Sequence, residues 1–97
     1  MSIEALTPEA VAEALRSLPG WAHVDGGLQK TYAFGSFREA MSFLLRVAFS
    51  ADAADHHPTL TNTYNRVTVA LSTHDVGNQT TAKDTALAAE IESFSWA

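Results

Sequence analysis

The stretch spanning residues 37–54 constrains this chain most. Phe37, Ala40, Met41, Phe43, Leu44, Val47, Ala48 and Ala51 recur at helical spacing, which predicts the longest and most apolar helix of the protein. Ser36 is placed to cap its start. Pro58 stops it, because the residue before a proline is pushed out of the α region. Such a helix needs a surface to cover, and strands flank it on both sides. Residues 21–24 and 28–34 read as strands joined by an Asp25-Gly26-Gly27 turn. Residues 59–64 and 67–73 read as a second hairpin turning at Asn65-Arg66. In the last strand Val67, Val69 and Leu71 share one face, and Thr68, Ala70, Ser72 and His74 the other. Leu28, Thr31 and Tyr32 do not alternate cleanly, so the register of the second strand stays open.

Two further helices close the pattern. Thr7-Pro8-Glu9 is a helix start, followed by Val11, Leu15 and Leu18 and ended by Pro19-Gly20. Thr81-Ala82-Lys83-Asp84 resembles a capping box with Asp in place of Glu, and Ala86, Leu87, Ala89, Glu90, Ile91 and Phe94 continue the helix. The order is α-β-β-α-β-β-α. It predicts an α+β fold, a four-stranded antiparallel sheet with three helices on one face, in a single domain over residues 1–97. A chain of this length buries only about 60–65% of its unfolded surface, so its core is small and burial against a partner subunit would help.

Charge narrows the function. The net charge is −5 and the six Lys and Arg residues are scattered, which argues against nucleic-acid binding and against anionic membranes. Without cysteine, disulfides, thiolate nucleophiles and Cys-type zinc sites are excluded. The first residues lack the basic flank and apolar run of a signal peptide, and no apolar run is long enough to span a membrane. A soluble, cytoplasmic protein is expected.

Three of the four histidines fall between Asp55 and Asp75. His56 and His57 lie just past the end of the long helix, with Asp52 and Asp55 beside them. Carboxylates at a helix C-terminus oppose the helix dipole, and a local rule broken this way often marks a functional place. A solvated acidic helix end is the plain alternative. His74 closes the last strand, and pairing about Asn65-Arg66 predicts it opposite His57. The three imidazoles then gather at one mouth of the sheet. Adjacent histidines diverge and the spacing fits no standard zinc motif, so acid–base chemistry is favoured over a metal. In that reading Asp52 holds one imidazole in its useful tautomer. His23 reads as a surface residue. Trp21, Phe34, Phe43, Phe94 and Trp96 read as core or subunit contacts, and Tyr64 fits either role.

Several spaced elements match a known pattern together: Asp52-Ala-Ala-Asp-His56-His57-Pro58, then Tyr64, then His74 within Leu-Ser-Thr-His, then Asp84. Gly20-Trp21, Tyr32-x-Phe34-x-x-Phe37 and Phe43-x-x-Arg46-Val47-Ala48 fit as well. From Leu6 to Phe94 the chain resembles the pterin-4a-carbinolamine dehydratases. The resemblance implies four antiparallel strands with three helices in a homodimer or homotetramer. It implies dehydration of 4a-hydroxytetrahydropterin to quinonoid dihydropterin, with a pterin as small-molecule partner and no metal or organic cofactor. Carried over by position, His56, His57 and His74 become catalytic or orienting imidazoles, and Asp52 their acidic partner. His57 and His74 are expected to act as the acid–base pair and His56 to bind and orient. Asp55, Ser72, Thr73 and Asp75 are expected to line the pterin site with the histidines. Asp84 reads first as a helix cap. Three departures stand out: Leu60 where the animal proteins carry Trp, Asp52 where many carry Glu, and one extra residue in the loop after His74. Some relatives also act as binding proteins, in transcription-factor dimerisation or RuBisCO assembly, so an interaction module with vestigial or no catalysis is the alternative. The intact histidine trio argues against it.

Overall fold

The computed structural model describes residues 3–97; Met1 and Ser2, part of the predicted 1–97 domain and of the N-terminus read for a signal peptide, lie outside them. The elements run α1 (Pro8–Leu15), β1 (Ala22–Val24), β2 (Gly27–Ala33), α2 (Phe37–Ala53), β3 (Thr59–Thr63), β4 (Arg66–Leu71), a 3-10 turn (His74–Val76) and α3 (Ala82–Phe94). This is the expected order, with the 3-10 turn added. The sheet is antiparallel throughout, with strand order β1-β2-β4-β3.

Each helix begins where the sequence signals it. Thr7 accepts from the Ala10 amide with Pro8 in the first turn, and Ser36 accepts from the Glu39 amide. Thr81 and Asp84 form a complete capping box. Leu28 and Tyr32 of β2 and Val67, Val69 and Leu71 of β4 point to one face, each 2% exposed or less. There α2 packs on β4, α3 on β2, and the two helices on each other. Ala40, Phe43, Val47 and Ala51 of α2 are buried against that face, with Leu87 and Ile91 of α3 and Val11 of α1. On the opposite face Thr31 and Thr68 share a hydroxyl hydrogen bond of 2.8 Å.

The irregular alternation of β2 has a cause. Lys30 lies on the core face between Leu28 and Tyr32, and its Nζ donates to the Pro19 carbonyl at 2.6 Å and to Glu92 Oε1 at 2.5 Å. The same Glu92 oxygen accepts from Tyr32 Oη at 2.6 Å and Trp21 Nε1 at 3.2 Å. A cation can stand in an apolar row here because α3 presents its counter-charge. Burial and the bond to Glu92 push the Tyr32 hydroxyl far above its ordinary range. Burial alone would raise Glu92, but the bonds from Lys30 and Tyr32, the Lys30 charge and the Trp21 bond outweigh it and hold the carboxyl below its usual value.

The second hairpin differs from expectation. Thr63 pairs with Arg66, so the turn is Tyr64-Asn65 rather than Asn65-Arg66. Tyr64 takes the left-handed conformation (φ 48°). Asn65 is fixed from outside the hairpin, since its Nδ2 donates to the Phe34 carbonyl and its own carbonyl accepts from the Phe34 amide. Asn62 Nδ2 spans the turn to the Tyr64 and Arg66 carbonyls. Shifting the turn by one residue moves the register by two. Extending it puts position 57 level with Ser72 rather than His74. β4 also ends at Leu71, so His74 lies beyond the strand instead of closing it.

Trp21, Phe34 and Phe43 are buried, as a core reading requires, while Trp96 is half exposed although it packs on Phe34 and Phe43. Tyr64 and His23 are exposed.

Candidate functional site

The end of α2 is built by a backbone device. Ala54 caps the helix, and Asp55 then turns left-handed at φ 51°. The Asp55 amide donates to the Asp52 carbonyl and the His56 amide to the Ala51 carbonyl, each at 3.1 Å. This pair of bonds is a Schellman motif. Its left-handed position is usually glycine, and Asp is one of the few other residues that tolerate it. The reversal sends consecutive side chains in opposite directions. His56 turns inward, with its side chain 10% exposed, and His57 stays outward at 61%.

His56 meets Asp84. Its Nε2 lies 2.5 Å from Asp84 Oδ1. Asp84 is 0% exposed, and its Oδ2 also accepts from the Thr81 amide and from Thr73 Oγ1, both at 2.8 Å. The buried carboxylate therefore has three donors, which offsets the cost of removing it from water. A carboxylate only accepts, so His56 Nε2 carries a hydrogen and Nδ1 is the ring nitrogen left free. Thr73 reaches Asp84 from just past the end of β4, on the buried face. The Thr73 amide pairs with the Gln79 carbonyl at 2.9 Å, and the 3-10 turn then lifts His74 onto the surface.

These segments enclose a cavity of about 280 Å³. Asp55, His56 and His57 enter from the end of α2, and Ser72, Thr73, His74 and Asp75 from the end of β4. Each of these was expected at the site. Lys83, in the first turn of α3, also lines the cavity and was not expected there. Asp52 lies outside the wall; its Oδ1 is 3.4 Å from His57 Nε2, with both side chains largely exposed. The close acidic partner in this structure is Asp84, on His56. The capping pattern flagged Asp84, but its second role depends on how α3 docks against the α2 end, which no local spacing encodes. Leu60 faces the core opposite Val69, away from the cavity wall. Among the described residues no three His, Asp or Glu side chains stand together closely enough to hold a metal ion.

Fold and site together define a class: a small α+β protein whose one-sided sheet ends in a histidine-lined cavity. The chain belongs to the pterin 4 alpha carbinolamine dehydratase family, whose pattern matches residues 4–94. A protein of Opitutus terrae named for pterin-4-alpha-carbinolamine dehydratase is 54% identical over 91 residues, covering 94% of each chain. One of Rhizorhabdus wittichii, named in the same way, is 43% identical over 96 residues, covering 97% of this chain and 98% of its own. The crystal structure of a transcriptional coactivator/pterin dehydratase from Brucella melitensis is similar at a TM-score of 0.87 and 37% identity. That likeness covers 93% of this chain and 97% of the other. Among the described residues no helix is long and apolar enough to cross a membrane.

Proposed function

We propose that this chain removes water from a 4a-hydroxytetrahydropterin, giving the quinonoid dihydropterin. The observation that carries the reading is the convergence of His56, His57 and His74, from two separate segments, on one cavity, with His56 anchored by the buried Asp84. In the reaction the C4a–O bond breaks as an imidazolium protonates the leaving hydroxyl, which departs as water. A neutral imidazole takes the N5 proton, and the C4a–N5 double bond forms. His57 and His74 are the exposed imidazoles of the wall and serve as this acid–base pair. His56, held by Asp84, binds and orients the ring. Asp55, Ser72, Thr73 and Asp75 supply hydrogen-bonding groups around the ring's polar edge. Asp52 is placed to bias the orientation of His57.

The test is dehydration of chemically generated 4a-hydroxytetrahydropterin by purified protein. Acceleration over buffer is expected. Each of His57→Ala and His74→Ala is expected to cost about 10²–10⁴-fold, with the circular dichroism spectrum unchanged. No acceleration over buffer would overturn the reading and turn attention to an interaction module.

The same proposal includes a homo-oligomer working in the cytoplasm. What supports association is a row of exposed apolar side chains on α2: Phe37, Leu45 and Phe49 are 48%, 54% and 69% exposed. Sedimentation equilibrium should give a dimer or tetramer, and Phe49→Lys should shift it toward monomer. A monomeric wild type would refute the oligomer.

A further inference from the structure

A second cavity, of about 250 Å³, adjoins the histidine cavity and has no part in the reading above. His56 and Lys83 line both, so the two cavities meet at these side chains. Each alone falls short of the range of about 300–1,000 Å³ usual for small-molecule sites, whereas the two as one cleft lie within it. The second cavity runs along one face of α3, where Lys83, Ala86, Leu87 and Glu90 recur at helical spacing, and is closed on the other side by Ala54 at the end of α2. Its floor is aliphatic, while a cation and an anion stand two turns apart along α3. An anionic tail attracted by Lys83 would face Glu90, and a cationic one the reverse. An uncharged aliphatic group meets neither conflict.

We infer that this groove is a specificity subsite, taking an uncharged aliphatic substituent on the pterin ring while the reacting atoms lie among the histidines. The inference rests on the dehydratase reading. Position C6 of a pterin is bonded to N5, so a substituent there leaves the ring beside the atom whose proton is removed. Crossing from one cavity to the other takes it past Lys83, which is exposed. Ala54 and Ala86 line the groove from the end of α2 and from α3, and both are small.

The experiment compares kcat/KM for two chemically generated carbinolamines, one with a 6-methyl and one with a 6-butyl group, in wild type, Ala86→Leu and Ala54→Leu. Leucine suits a helix and projects into the groove from α3 in one variant and from the end of α2 in the other, so misfolding of one variant leaves the other to decide. Wild type is expected to prefer the longer substituent. Both variants should lower the ratio of long to short by about tenfold, mainly through KM. An unchanged ratio in a folded variant overturns the subsite, and so does a wild-type preference for a 6-carboxyalkyl ring. If neither carbinolamine is dehydrated, the dehydratase reading has failed. The subsite is then decided by calorimetric titration of the corresponding stable 7,8-dihydropterins, where loss of the longer ligand's advantage in both variants supports it and its persistence refutes it.

Discussion

Asp84 has two duties that a single side chain can combine because its two oxygens face different ways. Oδ2 closes the N-terminus of α3 and Oδ1 holds His56. Replacing it by Asn keeps the size but removes the charge and an acceptor. Breaking one half of a buried pair of this kind costs about 3–5 kcal/mol at most sites, so the urea midpoint of Asp84→Asn should fall clearly. Its dehydration rate should drop on the order of 10²-fold, the penalty of a misplaced reacting group. Nitrogen NMR separates positioning from simple unfolding: wild-type His56 should show hydrogen on Nε2, and the folded Asn variant a mixture of tautomers. An unchanged spectrum would show that Asp84 does not set the tautomer. Both roles were only half legible in the sequence. A capping residue announces itself by spacing, but nothing local says that a histidine 28 positions earlier arrives at the same carboxylate.

At the scale of elements, the helices were legible because their start signals are local. Thr7-Pro8, Ser36 and Thr81 all cap where the pattern placed them. The exact turn of the second hairpin was not, because it is chosen by tertiary bonds. Asn65 is tied to Phe34 through both its side chain and its carbonyl, and Tyr64 is left in a conformation that L-residues other than Asn and Asp seldom adopt. A left-handed bulky residue costs roughly 1–2 kcal/mol, and Tyr64 is 67% exposed, so little packing offsets it. Tyr64→Gly should therefore raise stability by roughly 0.5–1 kcal/mol after the entropy of glycine is counted, read from chemical denaturation. A lower stability would mean that the ring makes contacts of its own, for instance in an oligomer. The Schellman turn at Asp55 is another place where an element's end depends on a left-handed residue, and here the reward is directional, because it separates His56 from His57.

For the whole molecule, the cluster of Trp21, Lys30, Tyr32 and Glu92 joins the strands to α3 and makes stability pH-dependent at both ends. Glu92 has a lowered folded pKa, so its contribution is present above the ordinary carboxyl value and is lost as pH falls through the folded one. Tyr32 has a raised folded pKa, so its contribution is full below the ordinary tyrosine value near 10 and declines above it, as the unfolded chain ionises first. Thermal midpoints should fall on the acid side and again above about pH 10, and Tyr32→Phe should flatten the alkaline limb relative to wild type. An identical alkaline limb in the variant would exclude Tyr32 as its source. By itself the sequence determined what depends on near neighbours: the helix starts, the two hairpins, the side of β4 that faces the core, and the gathering of imidazoles between Asp55 and Asp75. Tertiary structure alone decided the hairpin register, the place of Lys30 in an apolar row, the partnership of His56 with Asp84 and the groove beside Lys83. Each of these depends on segments distant in sequence meeting: Asn65 with Phe34 for the register, and α3 with the sheet and the end of α2 for the other three.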